Sequence, residues 1–307
     1  MKKLIVFLGN DYDQRDHEDL FPAIEELGVN VLRIHPYEIT TCFSSDGVRF
    51  LFNGEELSPD LVVGWVYEDL LIPGMYLLEA FENAGVPVIN NARTLFMAQN
   101  KYLLSSMLHK AKVNHLPVIS GRDKHTLLNK QIKISYPVVY KPIVGFGGND
   151  VKRFHCENEL KDFFEQTNPK EYYLQPFVKN PGRDIRVLCI NYHAVVAINR
   201  YAPEGGWITN TVAGGRPELA QLNNELIKIA EDASRACNTL ISGVDVIEDI
   251  SSGGYKILEV NSCPSAQPNF DLIGEQPVFL FELARFLVYL LENFEDGLRN
   301  WKPSRLI

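Results

Sequence analysis

The chain has 307 residues, 46% of them hydrophobic and 22% charged, with a net charge of −9. That length supports two or three domains with cores of their own, and the composition is that of a soluble globular protein. The acidic balance argues against a nucleic-acid or anionic-membrane surface as the main partner, and no stretch is long enough to span a bilayer.

The 5 cysteines are scattered without paired spacing and read as reduced, mostly buried thiols of a cytosolic protein. The opening apolar run resembles the start of a signal peptide but breaks at residues 9–13. It is too short for an h-region and lacks a small-residue cleavage site. Residues 4–8 read instead as a first buried strand of a parallel sheet, in a cytoplasmic protein.

A helix is predicted from about 16 to 27, closed by Gly28, and a second strand over 29–34. Residues 48–51 with the Phe52-Asn53-Gly54 turn suggest a small hairpin. A third strand (61–66), a helix (73–83, ending near Gly85) and a fourth strand (86–89) follow. Strands alternating with helices give an open α/β layer over roughly the first 90 residues. Ligands of such a layer gather at the carboxyl ends of its strands, which singles out loops 9–13 and 65–68.

Residues 94–110 are predicted as one amphipathic helix, with Leu95, Ala98, Tyr102, Ser105 and Leu108 at helical spacing and Lys101 on another face. A lysine so placed is ordinarily solvated. The apolar strand 137–143 contains Lys141, and burying an ammonium without a partner is costly. It runs into Val144-Gly145-Phe146-Gly147-Gly148-Asn149-Asp150, after which 151–154 resumes as a strand. A glycine-rich turn between strands can fold over phosphates and offer them backbone N–H groups, or it can be a plain hairpin. It lacks the Gly-Lys-Ser/Thr ending and the following helix of the familiar nucleotide fingerprints.

After a helix at 159–166, residues 172–178 form a strand interrupted by Pro176, hence an edge or crossing segment whose free backbone groups could face a base. Residues 184–190 and 194–201 form a long hairpin. Asp184 and Arg186 share a face, with Arg200 near the other end, and surface ion pairs are the ordinary reading of all three. Loop 205–216 is too glycine-rich and long to be mere linkage. Residues 217–240 are predicted as a helix (Leu219, Leu222, Leu226, Ile229, Ala233 and Ala236 at helical spacing) and 279–291 as a closing amphipathic helix. The tail beyond 293 reads as polar and peripheral.

Between those helices, 243–261 reads as a hairpin of β-branched strands about a Ser-Ser-Gly-Gly turn. Glu259 and Asn261 are two apart and project from one face, leaving Leu258 and Val260 to the core. Asp245 on the first strand can lie beside them. Two carboxylates and a carboxamide suit a hard cation such as Mg²⁺; the alternative is a solvated face.

The order of these elements resembles that of the ATP-grasp superfamily and its RimK-like amino acid (glutamate) ligases, over about residues 86–264. Its most specific stretches are Pro181-Gly-Arg-Asp-Ile-Arg186, Gly243-Val-Asp245 and Leu258-Glu-Val-Asn-Ser-Cys-Pro264. The resemblance implies a mixed α/β and α+β chain. An N-terminal α/β pre-ATP-grasp domain (1–92) would precede a central subdomain with the glycine-rich loop (93–178) and a C-terminal subdomain with the metal site (179–307).

By the same resemblance Lys101 and Lys141 contact nucleotide phosphates, and Gly145, Gly147 and Gly148 belong to the loop closing over them. Gln175, Pro176, Phe177 and Val178 border the adenine, and Asp184 lies near the ribose. Arg186, Arg200 and Asn210 surround the γ-phosphate and acyl phosphate as catalytic groups. Asp245, Glu259 and Asn261 ligate Mg²⁺, with Mn²⁺ as an alternative ion. The implied activity is an ADP-forming, ATP-dependent carboxylate–amine ligase working through an acyl phosphate. It would add an amino acid such as glutamate to a small-molecule or peptide carboxylate, without nucleic acid or membrane, and such ligases are often dimers or tetramers. The acceptor pockets are expected from loops 9–13, 65–68, 205–210 and 265–270.

The sequence departs from that pattern at Pro176, where a glutamate is common, at Ile208, where an arginine is frequent, and at Ser265, where a glycine is usual. The first two departures favour the competing expectation, a nucleotide-binding regulatory protein of the same fold without turnover. The intact trio Asp245, Glu259 and Asn261 argues against it.

Overall fold

A computed structural model describes residues 2–10, 13–129, 135–145, 148, 150–209, 211 and 214–304. The first part contains β1 (Leu4–Gly9), α1 (Gln14–Glu26), β2 (Asn30–Ile34), β3 (Ile39–Ser44), β4 (Gly47–Phe52), β5 (Glu55–Glu56), β6 (Leu61–Trp65), α2 (Leu71–Asn83) and β7 (Val88–Ile89). Strands β2-β1-β6-β7 pair in parallel in that order. The continuous apolar runs of β1 and β6 reflect burial on both faces. Strands β3, β4 and β5 make a separate antiparallel sheet. Its Asn53-Gly54 turn has φ of 52° and 82°, the pair of positive values that a tight two-residue hairpin requires.

The second part contains α3 (Ala92–Gln99), α4 (Lys101–Lys110), β8 (Ile119–Gly121), α5 (Lys124–Leu127), β9 (Val138–Lys141), β10 (Lys152–Phe154), α6 (Glu157–Gln166) and β11 (Tyr172–Pro176). The single helix predicted over 94–110 is in fact two. Asn100 is extended (φ −100°, ψ 109°), and its side chain accepts the N–H of Leu103 at 3.0 Å, starting α4 anew. The antiparallel sheet has the order β10-β9-β11-β8. Strand β11 is therefore internal, not an edge. Its proline is tolerated because β8 pairs only with residues 172–174, leaving Pro176 opposite Val138 alone.

The third part contains β12 (Arg183–Ile190), β13 (His193–Tyr201), β14 (Arg216–Ala220), α7 (Asn224–Cys237), β15 (Ile241–Glu248), β16 (Tyr255–Asn261), α8 (Gln267–Ile273), α9 (Val278–Glu292) and α10 (Phe294–Asn300). The antiparallel sheet runs β14-β13-β12-β15-β16. The helix predicted from 217 starts only at Asn224, where Asn223 caps it by accepting the N–H of Leu226 at 2.9 Å. Residues 216–220 instead pair with β13 as an edge strand, where Pro217 removes no needed donor.

Alternation along β12 divides the core. Val187 and Cys189 pack with Leu226, Ala230 and Ala233 of α7. Leu188 and Ile190 pack with α9 and with Ile5, Phe7 and Leu20 of the first part. The tail is not peripheral: after α10, Trp301 is buried and its ring lies 4.8 Å from that of Phe286. All five cysteines are free; Cys189 and Cys237 are buried, Cys42 and Cys263 half-buried and Cys156 exposed. Among the described residues no helix is long and apolar enough to cross a membrane.

Candidate active site

A cleft of about 700 Å³ lies between the β10-β9-β11-β8 sheet and the long C-terminal sheet, and reaches the loops after β1 and β6. Every predicted site residue that the structure describes lines it: Lys101, Lys141, Gly145, Gly148, Gln175, Pro176, Phe177, Val178, Asp184, Arg186, Arg200, Asp245, Glu259 and Asn261. Gly147 and Asn210 lie outside the described residues.

The charged floor comes from strand register. Asp184 stands opposite Arg200, Arg186 opposite Asp245, and Asp245 opposite Glu259. Arg186 donates to both Asp245 oxygens at 2.8 and 2.9 Å. Arg200 holds Asp184 through two hydrogen bonds, that of Nε at 2.9 Å, and its Nη2 lies 3.0 Å from Asp245 Oδ2. These are not surface ion pairs: Arg200, Asp184 and Asp245 are only 3%, 4% and 5% exposed. Burial opposes the charge of Asp245, but Arg186 and Arg200 together hold its carboxyl well below the usual carboxylate range. Burial likewise works against the Arg200 cation, and Asp184 and Asp245 more than offset it.

The two lysines arrive from the other sheet. Lys101 is buried at the start of α4; its Nζ donates to the Gly145 carbonyl at 2.7 Å and lies 3.1 Å from Glu259. It is not the solvated lysine that a single helix would carry, because the break at Asn100 turns it inward. At the end of β9, Lys141 has its pKa lowered by burial; Glu259, Asp245 and Asp184 support its charge while Lys101 opposes it. Two cations converging on one carboxylate in a cleft fit a polyanion.

At the far end, Gln175 is buried and donates to Tyr173 Oη at 3.1 Å, leaving its own carbonyl oxygen without a partner among the described residues. The Phe177 and Trp207 rings meet edge to face at 5.9 Å, with the Arg153 guanidinium 4.8 and 4.9 Å from them. Arg153 and Trp207 were not singled out from sequence, although the length of the glycine-rich loop around Trp207 was the available signal. Leu258 also lines this cleft and is only half-buried. A bulge causes this: pairing passes from Asp245–Glu259 to Val246–Ile257, so Ile257 takes the core position and Leu258 is turned out. Val260 is core as expected.

Asp245, Glu259 and Asn261 do come together. Asn261 Nδ2 donates to Asp245 Oδ2 at 3.2 Å and to the Gly243 carbonyl at 3.2 Å, which leaves its Oδ1 as the atom able to meet a cation. No group of three or more His, Cys, Asp or Glu is arranged for a metal among the described residues; the third donor of this set is an amide. Carboxylate and amide oxygens on one cleft face fit Mg²⁺, which keeps waters and phosphate oxygens in its shell.

The near end is built by the N-terminal loops. Asp13, Tyr67 and Glu68 line it beside Ser265, Pro268 and Asn269, from three of the four loops expected to form acceptor pockets; the fourth, 205–210, sets Trp207 against Phe177 instead. Asp16 fixes this junction by accepting from Ser265 Oγ at 2.8 Å and from the N–H groups of Ala266 and Gln267 at 2.9 and 2.6 Å. Arg15 adds a two-point contact with Asp271 at 2.7 and 2.8 Å.

Residues 98–272 match the family model of the RimK-like ATP-grasp domain. The chain belongs to that family. The α-aminoadipate–LysW ligase LysX of Sulfurisphaera tokodaii is 35% identical over 267 residues, 84% of this chain and 90% of that protein. The tetrahydromethanopterin:α-L-glutamate ligase of Methanosarcina acetivorans is 30% identical over 246 residues, 71% of this chain and 74% of that one. The ATP-grasp ligase PsnB, solved with a phosphomimetic variant of its minimal precursor, Mg and ADP, shares the fold. Its TM-score is 0.73 at 17% identity, covering 94% of this chain and 98% of that one. This RimK-like protein is an ATP-grasp carboxylate–amine ligase, for which the family implies ATP and Mg²⁺.

Proposed function

We propose that the protein activates the carboxylate of a small molecule or peptide as an acyl phosphate and joins to it the amine of an amino acid such as glutamate or α-aminoadipate. The observation that carries this reading is the convergence of Lys101, Lys141, Arg186 and Arg200 on one cleft face beside the oxygens of Asp245, Glu259 and Asn261. A carboxylate oxygen attacks the γ-phosphorus, and charge spreads over the transferring oxygens. Arg186 and Arg200, already locked by Asp245 and Asp184, meet that charge with little reorganisation. With both oxygens engaged by Arg200, Asp184 positions that arginine first and faces the ribose second. By the family resemblance Asn210, outside the described residues, would act with the arginines on the acyl phosphate.

Asp245, Glu259 and Asn261 would hold Mg²⁺ or Mn²⁺, which supplies further neutralisation of the phosphates. Lys101 and Lys141 bind those phosphates, and Lys101 ties them to the glycine-rich loop through Gly145. Closure of that loop, Gly147 and Gly148 included, keeps water from the acyl phosphate. The 175–178 segment borders the adenine, with Leu258 opposite. On this reading residues 1–92 furnish the acceptor wall, 93–178 the phosphate loop and 179–307 the metal face, in a cytoplasmic homo-oligomer.

The test is ADP release and product mass with MgATP, L-glutamate or α-aminoadipate as amine, and tetrahydromethanopterin or the LysW carrier as carboxylate. Glu259→Ala should cut turnover by about a hundredfold or more while the circular dichroism stays native. Turnover retained in that variant would overturn the metal assignment.

A further inference from the structure

The near end of the cleft contains buried acceptors that the phosphate chemistry does not use. Asp13 is 5% exposed, lines the cleft, and accepts from Tyr67 Oη at 3.1 Å. Asn269 is 2% exposed and lines the same cleft; its Nδ2 donates to the Ser265 carbonyl at 3.4 Å, while its Oδ1 has no partner among the described residues. Both line one cleft, and Asp16, one turn after Asp13, ties their segments together, its oxygens fastening residues 265–267 to the start of α1. A buried acceptor without a donor is costly to leave unmet. A carboxylate and an amide oxygen facing one space match a group with several N–H donors and a positive charge.

Resting on the ligase reading above, we propose that Asp13 receives the protonated amine of the incoming substrate, with Asn269 Oδ1 as second acceptor, and takes its proton before attack. The ammonium passes one proton to the Asp13 carboxylate, and the freed lone pair attacks the acyl-phosphate carbonyl carbon. The C–N bond forms, the C–O bond to phosphate breaks with its electron pair leaving on phosphate, and the second N–H proton departs with that phosphate. Asp13 then returns its proton to water.

The groups facing Asp13 suit it to this. Burial, with Asp16 on the same helix, raises its pKa to about 7, while Tyr67, Trp65 and Arg33 of β2 pull the other way. The Cys263 thiol, from the loop after β16, is pushed up by burial and by Asp13, and so stays neutral. A base whose pKa lies near working pH is substantially ionised there and still basic enough to accept a proton.

The experiment compares L-glutamate with hydroxylamine, which is largely unprotonated at neutral pH, using the carboxylate that the panel above shows to be turned over. Asp13→Asn should slow amide formation with glutamate about a hundredfold. It should also abolish the rise of kcat/KM with pH around 7, while hydroxamate formation falls only about threefold. Asn269→Ala should raise the KM for glutamate with kcat largely kept. Equal losses with both nucleophiles while ATP binding persists, a glutamate rate untouched by Asp13→Asn, or an unchanged KM in Asn269→Ala would overturn the proposal. A wild-type protein that forms neither product overturns the ligase reading itself, and this inference with it.

Discussion

Lys141 is an ammonium in surroundings that disfavour one. Burial lowers its pKa, so in the free cleft it loses its proton at lower pH than in the unfolded chain. Nucleotide phosphates prefer the ammonium and raise that pKa again. ATP affinity should therefore fall as pH rises through the lowered value, and ATP binding should take up a proton on that alkaline side. Calorimetry in buffers of differing ionisation enthalpy measures this uptake, and Lys141→Met should abolish it while weakening ATP about tenfold or more. Undiminished proton uptake in the variant would assign the titration elsewhere. The sequence marked Lys141 because a lone charge inside an apolar strand needs a partner. Period-two alternation likewise placed Glu259 and Asn261 on one face, and pairing across the turn put Asp245 beside them. It failed one residue away, at Leu258, because a bulge shifts the pairing and leaves no mark in the hydrophobic pattern. The burial of Asp184 and Arg200 was also hidden, since alternation gives a shared face without saying what covers it.

At the scale of elements, two predicted helices were broken by the same device. Asn100 and Asn223 each accept a backbone N–H three residues on and so begin a helix where periodicity runs straight through. The consequences differ. The break at Asn223 frees residues 216–220 to pair as a strand, whereas the break at Asn100 aims Lys101 at Gly145 and Glu259. Asn100→Ala and Asn223→Ala should each cost about 1 kcal/mol of stability in denaturant unfolding. Only the first should raise the KM for ATP, by severalfold. Equal KM values in the two variants would separate Lys101 from its cap. The α/β layer of the first 90 residues was readable because β-α alternation is a local signal, whereas the ATP-grasp class came from the resemblance in the order of the elements. The internal position of β11 was not, since partners on both sides are decided by β8 and β9, distant in sequence.

Across the whole molecule, the N-terminal α/β part and the long C-terminal sheet share one core. Leu188 and Ile190 of the C-terminal sheet share a core with Phe7 and Leu20 through α9. Asn90 spans the same junction: it donates to the carbonyls of Ile241 and Ser262 at 2.8 and 2.9 Å and accepts the N–H of Leu240 at 2.8 Å. At Gly64 an added Cβ would lie 2.4 Å from the Asn90 carbonyl oxygen, so only glycine lets β6 approach that closely. These contacts keep Asp13 and Asn269 in the same cleft of about 700 Å³ as Lys101 and Lys141, where on the proposed reading an activated carboxylate and an amine meet. The central claim, that the carboxylate passes through an acyl phosphate in this cleft, can be followed by oxygen. With the carboxylate substrate labelled in both oxygens with ¹⁸O, the phosphate released by the wild-type protein should carry one labelled oxygen and the amide product the other. Unlabelled phosphate, with both labels kept in the carboxylate, would contradict it.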